Sequence, residues 1–234
     1  MKYQIDGKRL LVITGSGISA ESGIPTFRGN EGYWRNHDPM KLATPEGFAQ
    51  DPALVWEWYA QRRAIIQSKQ PNPAHQVVAD LAGRATGFLL VTQNVDDLHE
   101  RAGSSADQTV HIHGDIFVNR CTRCQRHDHT EVSTETLPLC SECGGLLRPG
   151  VVWFGEALGV AEVERVENFL AGGCCDLVLV VGTTAAFGYI LDWAARAAGS
   201  NGLLVEVNPE PTALSRLATK TVRARAAEAL PMLF

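Results

Sequence analysis

The chain has 234 residues, a formal net charge of −5 and ordinary shares of hydrophobic and charged residues. That length builds one large core, or a core with a small module. The acidic balance gives no general attraction to nucleic acid, and no run nears the roughly 18 apolar residues that span a bilayer, so neither is an expected partner.

The opening "MKYQIDGKRLLVIT" passes almost directly into a strand-like run. It has no cleavable signal pattern, so a cytoplasmic location is expected. Five apolar or β-branched runs read as strands: Arg9–Thr14, Phe88–Thr92, Thr109–Ile112, Leu177–Val181 and Leu203–Val207. Most are continuously apolar, as in parallel strands covered on both faces. Helical patterns lie between several of them, which predicts an α/β fold with a doubly wound parallel sheet. Phe117–Arg148 breaks the alternation. It is polar, carries cysteines and reads as a small insertion.

The first strand runs into "VITGSGISAESG", where Gly15, Gly17 and Ala20 fit G-x-G-x-x-A. This turn is expected to open a helix whose N-terminus receives a pyrophosphate; a tight turn without ligand is the alternative. No strand ending in an acid follows about 20 residues on, so an ordinary hydride-transferring dehydrogenase is not expected. The other strands exit into "TQN", "HG", "GTT" and "VN". Ligands sit beyond such carboxyl ends, so five polar exits imply one composite site for a large polar ligand.

In "VWEWYAQRRAII", Val55, Trp58, Tyr59, Ile65 and Ile66 share one helical face. Arg62 falls in the middle of that face, where a cation needs a partner. Glu57 or Asp51 is one candidate and a bound ligand the other; Arg63, off the face, is expected to be solvated.

Four of the six cysteines form CxxC-x15-CxxC: Cys121, Cys124, Cys140 and Cys143. Two such pairs suit tetrahedral zinc in a closed structural site. His127 and His129 read as solvated loop residues, and Cys174 and Cys175 as small core residues. His111 and His113 alternate on one strand, with His113 at its exit. A neutral-range pKa fits it for general base work, and a satisfied structural role is the alternative. His99, His75 and His37 have weaker claims.

The ordered motifs "GSGISAESGIPTFRG", "TQNVDDLH", "HIHG", the paired CxxC, "RPGVVWFGE", "GTT" and "VNPEPT" resemble those of sirtuins, over nearly the whole chain. The resemblance implies an NAD-dependent protein-lysine deacylase, with residues 1–116 and 149–234 as a Rossmann-like NAD-binding domain. A zinc ribbon at 117–148 would be inserted, the small domain also taking in part of 24–70. It implies that Gly15, Ser16, Gly17, Ser19 and Ala20 hold the NAD pyrophosphate, and that Phe27 and Arg28 belong to a cofactor loop. Gln93, Asn94 and Asp96 would surround the nicotinamide and its ribose. Gly182, Thr183 and Thr184 would line the phosphate and ribose region, with Asn208 and Ala226 toward the adenosine.

His113 would be the catalytic base, and Val152, Phe154 and Gly155 would line the acyl-lysine tunnel. The acyl oxygen would attack the ribose carbon as nicotinamide leaves, giving free lysine and O-acyl-ADP-ribose and consuming NAD. Tyr59 and Arg62 match the Y-x-x-R of the desuccinylase-like bacterial subclass, and Ala43 leaves room for a longer acyl chain. Acyl-lysine proteins are therefore the expected partners, with succinyl and malonyl groups preferred and acetyl also removed. A deacetylase with little acid-acyl preference, mono-ADP-ribosyl transfer, or a zinc-ribbon module whose α/β part only senses nucleotide are the alternatives. The sequence departs from the family at Ser16, Thr184 and Asp115, and in "AAFGY" after "GTT".

Overall fold

The computed structural model describes residues 2–27, 38–129 and 136–234. Chain order within these runs β1 (Arg9–Thr14), α1 (Pro39–Leu42), α2 (Pro45–Gln50), α3 (Pro52–Gln67), α4 (Pro73–Arg84), β2 (Gly87–Thr92), α5 (Leu98–Arg101) and β3 (Thr109–His111). Then come β4 (Gly114–Cys121), β5 (His127–Asp128), β6 (Leu147–Val151), α6 (Val160–Ala171), β7 (Leu177–Val181), α7 (Gly188–Ala198), β8 (Leu203–Val207), β9 (Lys220–Val222) and α8 (Ala226–Leu233).

Six strands form one sheet in the order β3-β2-β1-β7-β8-β9, and every pairing is parallel. Alternate residues explain the two covering layers. Leu10 and Val12 pack with α4 and α8, while Leu11 and Ile13 pack with α6 and α7. The strand order turns between β1 and β7, the neighbours from which the two halves wind outward. Open parallel sheets bind ligands in the crevice beyond such a point.

A second sheet, β5-β4-β6, is antiparallel and lies in the cysteine-bearing segment. Its buried side chains share a third core with α1–α3, including Trp56, Trp58, Cys121, Leu147 and Trp153. Helices α1, α2 and α3 each start with proline behind a side-chain cap, from Asp38, Thr44 and Asp51. Proline fits there because the first helical N–H has no intrahelical partner.

Three expectations need correction. The turn after β1 opens no α-helix, only a one-turn 3-10 helix at Ala20–Ser22, stopped by Gly23 at φ 85°. The third strand ends at His111, because the chain turns at Ile112 and His113 before β4. Arg63 is not solvated. Its Nε donates to Ile116 O at 2.6 Å and its guanidinium to Asn119 Oδ1 at 2.8 Å, tying α3 to β4.

Candidate active site

The β1 and β7 exits touch. A Cβ on Gly15 would stand 2.7 Å from Thr183 Cβ, and one on Gly17 2.7 Å from Gly182 Cα. Gly182 itself has φ 61°, a conformation glycine adopts without penalty. The Gly15 and Gly17 amides are committed to the Val181 and Gly182 carbonyls at 3.0 and 2.8 Å. The glycines therefore bring two strand exits together; they do not aim these two N–H groups at a ligand.

Around this junction lies a cavity of about 730 Å³, within the range of small-molecule sites. Gly15, Ser16, Gly17, Ala20 and Phe27 line it from the β1 side, and Gly182, Thr183, Thr184, Asn208 and Ala226 from the β7–α8 side. Gln93, Asn94 and His113 line its middle. Gln93 Nε2 donates to Thr183 Oγ1 at 3.0 Å, and Asn208 Nδ2 to Thr183 O at 2.9 Å, so the exits brace one another. Arg28 lies outside the described residues, as does His37.

Ser19 and Asp96 sit under the wall. Both are buried and joined by a 3.0 Å bond from Ser19 Oγ to Asp96 Oδ2. Asn94 Nδ2 donates to the same hydroxyl at 3.1 Å. His75, a weak candidate by sequence, stands 3.4 Å from Ser19 Oγ through Nε2. Its Nδ1 accepts from Asn72 N in the capping box of α4, which leaves the hydrogen on Nε2. The only sequence signal was a histidine three residues after Asn72. Burial drives the His75 pKa down to about 4 and the Asp96 pKa up to about 6. His99, fully buried, bonds Thr14 Oγ1 at 3.0 Å and is also held neutral by burial.

The two histidines of "HIH" have different settings. His111 Nε2 meets Glu100 Oε1 at 2.8 Å. Burial is the largest single influence and opposes its charge, but the bond and charge of Glu100, the Asp115 carboxylate and the Asn94 carbonyl together raise its pKa. His113 faces the cavity, with Nδ1 3.0 Å from Gln93 O and Nε2 2.5 Å from Tyr189 Oη. Burial lowers its pKa despite the Gln93 carbonyl. The sequence did not single out Tyr189.

Beyond His113 the cavity continues to Ala43, Tyr59, Arg62, Val152, Phe154 and Gly155. Arg62 is 4% exposed and packs among the rings of Phe27, Trp58 and Tyr59, its Cζ 4.7–5.5 Å from their centroids. Of the two acids offered as partners, Asp51 caps α3 through Leu54 N and Glu57 is exposed beside Gln61. Val152 N donates to His113 O and Phe154 N to Ala43 O, at 2.8 and 2.9 Å, seating this wall.

The Sγ atoms of Cys121, Cys124, Cys140 and Cys143 all lie within 4.8 Å of one another. Cys121–Cys143 and Cys124–Cys140 are 3.5 and 3.7 Å apart. Tetrahedral zinc with Zn–S of about 2.3 Å separates its sulfurs by about 3.8 Å. The Arg123 and Cys124 amides both point at Cys121 Sγ at 3.4 Å, as suits a thiolate ligand. These residues fit structural zinc and leave no open position for catalysis. His127 and His129 are exposed and outside the cluster. Cys175 is buried as expected, but Cys174 is exposed and not a core residue.

A family model described as the Sir2 family matches residues 15–187. An NAD-dependent protein deacylase of Leptospira interrogans is 42% identical over 239 residues, covering 99% of this chain and 94% of the relative. A solved Sir2 homologue in complex with NAD superposes with a TM-score of 0.86 at 39% identity, covering 99% of this chain and 94% of its own. A mutant Sir2 homologue bound to ADP-ribose gives 0.89 at 41% identity, with 96% and 90% covered. With the parallel sheet, the strand-exit cavity and the four-cysteine cluster all present in one chain matched end to end, this protein belongs to the Sir2 family.

Proposed function

We propose that this chain is an NAD-dependent protein-lysine deacylase that prefers succinyl and malonyl groups and also removes acetyl groups. The observation that carries the preference is Arg62, a buried guanidinium on the wall of the cavity that holds His113. Arginine grips a carboxylate with two parallel hydrogen bonds, and Tyr59 beside it adds a phenol donor. Ala43, small and buried, keeps the wall open for a longer acyl chain.

NAD fits the remaining cavity through neutral donors and acceptors on Ser16, Gln93, Asn94, Thr184 and Asn208. It supplies, when bound, an electrophilic ribose carbon and a nicotinamide leaving group. His113 then accepts the proton of a ribose hydroxyl at Nε2, while the Gln93 carbonyl steadies the N–H at Nδ1. General base help of this kind typically contributes about 10² to 10⁴ in rate. The Ser19–Asp96–Asn94 network holds Asn94 against the cavity from below. Zinc in the cysteine cluster would secure the small sheet.

The macromolecular partners are acyl-lysine proteins, and the net charge of −5 gives no reason to expect nucleic acid. No helix among the described residues is long and apolar enough to cross a membrane. Four thiols arranged for a metal suit a reducing compartment, so the cytoplasm is the proposed location.

The test is mass spectrometry of acetyl-, malonyl- and succinyl-lysine peptides, incubated with and without NAD. Faster NAD-dependent loss of succinyl and malonyl groups is expected. Faster loss of acetyl would overturn the acid-acyl preference, and loss independent of NAD the whole reading.

A further inference from the structure

The His113 nitrogen needed for proton abstraction already has a partner. Gln93 O only accepts, so the hydrogen of neutral His113 sits on Nδ1 and Nε2 is left with one lone pair. Tyr189 Oη stands 2.5 Å from that nitrogen and donates to it. A ribose hydroxyl giving its proton to His113 needs the same lone pair, and one lone pair serves one strong donor at a time. We propose that Tyr189 is a positioning residue, holding the base of the unliganded enzyme in its Nε2-accepting form and yielding Nε2 to the ribose hydroxyl when the substrates bind. The proposal rests on the reading of His113 as the base.

The surroundings of Tyr189 suit a side chain that changes place. It lies on the first turn of α7, directly after Gly188, where an added Cβ would meet nothing within 4 Å. Its ring stacks on Phe187 at 5.5 Å and 12°, and packs on Trp193 at 5.1 Å. Phe187 is 36% exposed and meets His113 edge-on at 5.4 Å. Both rings line the cavity. They belong to "AAFGY", which leads from β7 into α7.

Proton accounting is simple. The ribose O–H bond breaks, its electron pair stays on oxygen, and the proton forms a new N–H bond at Nε2. Tyr189 keeps its own proton throughout, since burial raises its pKa well above the usual phenol range. Among the described residues, the titratable groups lining the same cavity as His113 are Tyr189 from α7, Tyr59 and Arg62 from α3, and Glu21, Glu156, Glu210 and Arg225. Asp96 after β2, His111 of β3 with its partner Glu100, and Asp115 of β4 are not among the residues lining that cavity. Of these, Tyr189 is the one hydrogen-bonded to the ring.

The test is Tyr189→Phe, which keeps the ring and removes the donor, alongside His113→Ala. A donor on Nε2 stabilises the neutral imidazole, so its loss raises the His113 pKa of the free enzyme. The acid limb of kcat/KM, which reports the free enzyme, should move up by about half to one pH unit. NMR titration of His113 in the unliganded protein should show the same rise. The acid limb of kcat, which reports the bound enzyme, should stay where it is in wild type. An unmoved kcat/KM limb and NMR titration would overturn the proposal, and so would a kcat limb that shifts by the same amount, since Tyr189 would then stay on the base through turnover. Full turnover by His113→Ala would instead sink the base assignment, while the NMR titration would still report the hydrogen bond.

Discussion

The indole nitrogen of Trp153 donates to the hydroxyl of Tyr59 at 2.9 Å. Trp153 is itself clamped, with the Arg148 guanidinium 3.4 Å above its ring and Glu156 accepting its backbone N–H at 2.8 Å. The chain from Glu156 through Trp153 therefore fixes where the Tyr59 oxygen sits. In the proposed acyl clamp, the phenol keeps its own O–H to donate toward a substrate carboxylate beside Arg62. In Trp153→Phe the ring packing stays and the donor is lost. A neutral hydrogen bond contributes about 1 kcal/mol, so kcat/KM on succinyl-lysine should fall about fivefold. Acetyl-lysine, which has no carboxylate, should be affected less. Equal losses on both peptides would show that Trp153 supports the cavity as a whole and not the acyl clamp.

Arg62→Met is the sharper probe of substrate choice. Methionine is apolar and flexible enough to pack among Phe27, Trp58 and Tyr59, so the fold should hold. Charge-assisted hydrogen bonds contribute about 1.5–3 kcal/mol, which predicts a loss of about 10- to 150-fold in kcat/KM on succinyl-lysine. Acetyl-lysine should become the better substrate. Steady-state kinetics on the paired peptides decide it, and an unchanged succinyl-to-acetyl ratio would remove Arg62 from acyl recognition.

Most of the large sheet was legible because its inner strands are buried on both faces. Leu177–Val181 is unbroken apolar, Leu203–Val207 is interrupted only by Glu206, and Arg9–Thr14 shows the same signal. The exposed three-residue β9 (Lys220–Val222) gave no such signal and was missed. The small sheet was not legible, because β4 alternates only partly and β5 has two residues. Cys121 at the end of β4 meets Cys140 and Cys143 of the stretch before β6, a closure across the loop that no periodic pattern announces. Arg63 shows a different limit. Helical spacing placed it off the apolar face, yet β4 comes alongside and offers it the carbonyls of Ile116 and Val118. Within the site, the strand exits were readable as motifs, but their contacts were not. Ser19 meets His75 across 56 residues and His113 meets Tyr189 across 76, separations that no local pattern encodes.

Zinc removal should disable more than the cysteine cluster. The small sheet shares a core with α3, and Trp56 Nε1 donates to Leu147 O at 3.0 Å across that boundary. Tyr59 and Arg62 ride on the same helix. One zinc per chain is expected by elemental analysis. Chelation should lower the melting temperature and expose four additional reactive thiols, above a background from the exposed Cys174. It should abolish deacylation as well. Retained activity after complete removal would mean that the small sheet holds its shape without metal.

The buried network beneath the cavity makes stability depend on pH in two opposed ways. His75 has a folded pKa near 4 against about 6.5 unfolded. Below about 6.5 the unfolded chain takes up a proton that the folded one refuses, so stability falls as pH drops from about 6.5 to 4. His99, also held neutral by burial, acts in the same direction. Asp96 acts against them. Its folded pKa is near 6, above the unfolded 3.8, so the folded state binds its proton first and gains stability over nearly the same window. Asp96→Asn removes that opposing contribution and leaves the histidines. Urea unfolding at pH 7 and pH 5 should therefore show a larger acid loss in the variant than in wild type, by about 1 kcal/mol. An equal loss in both proteins would mean that Asp96 is ionised in the folded state throughout this range.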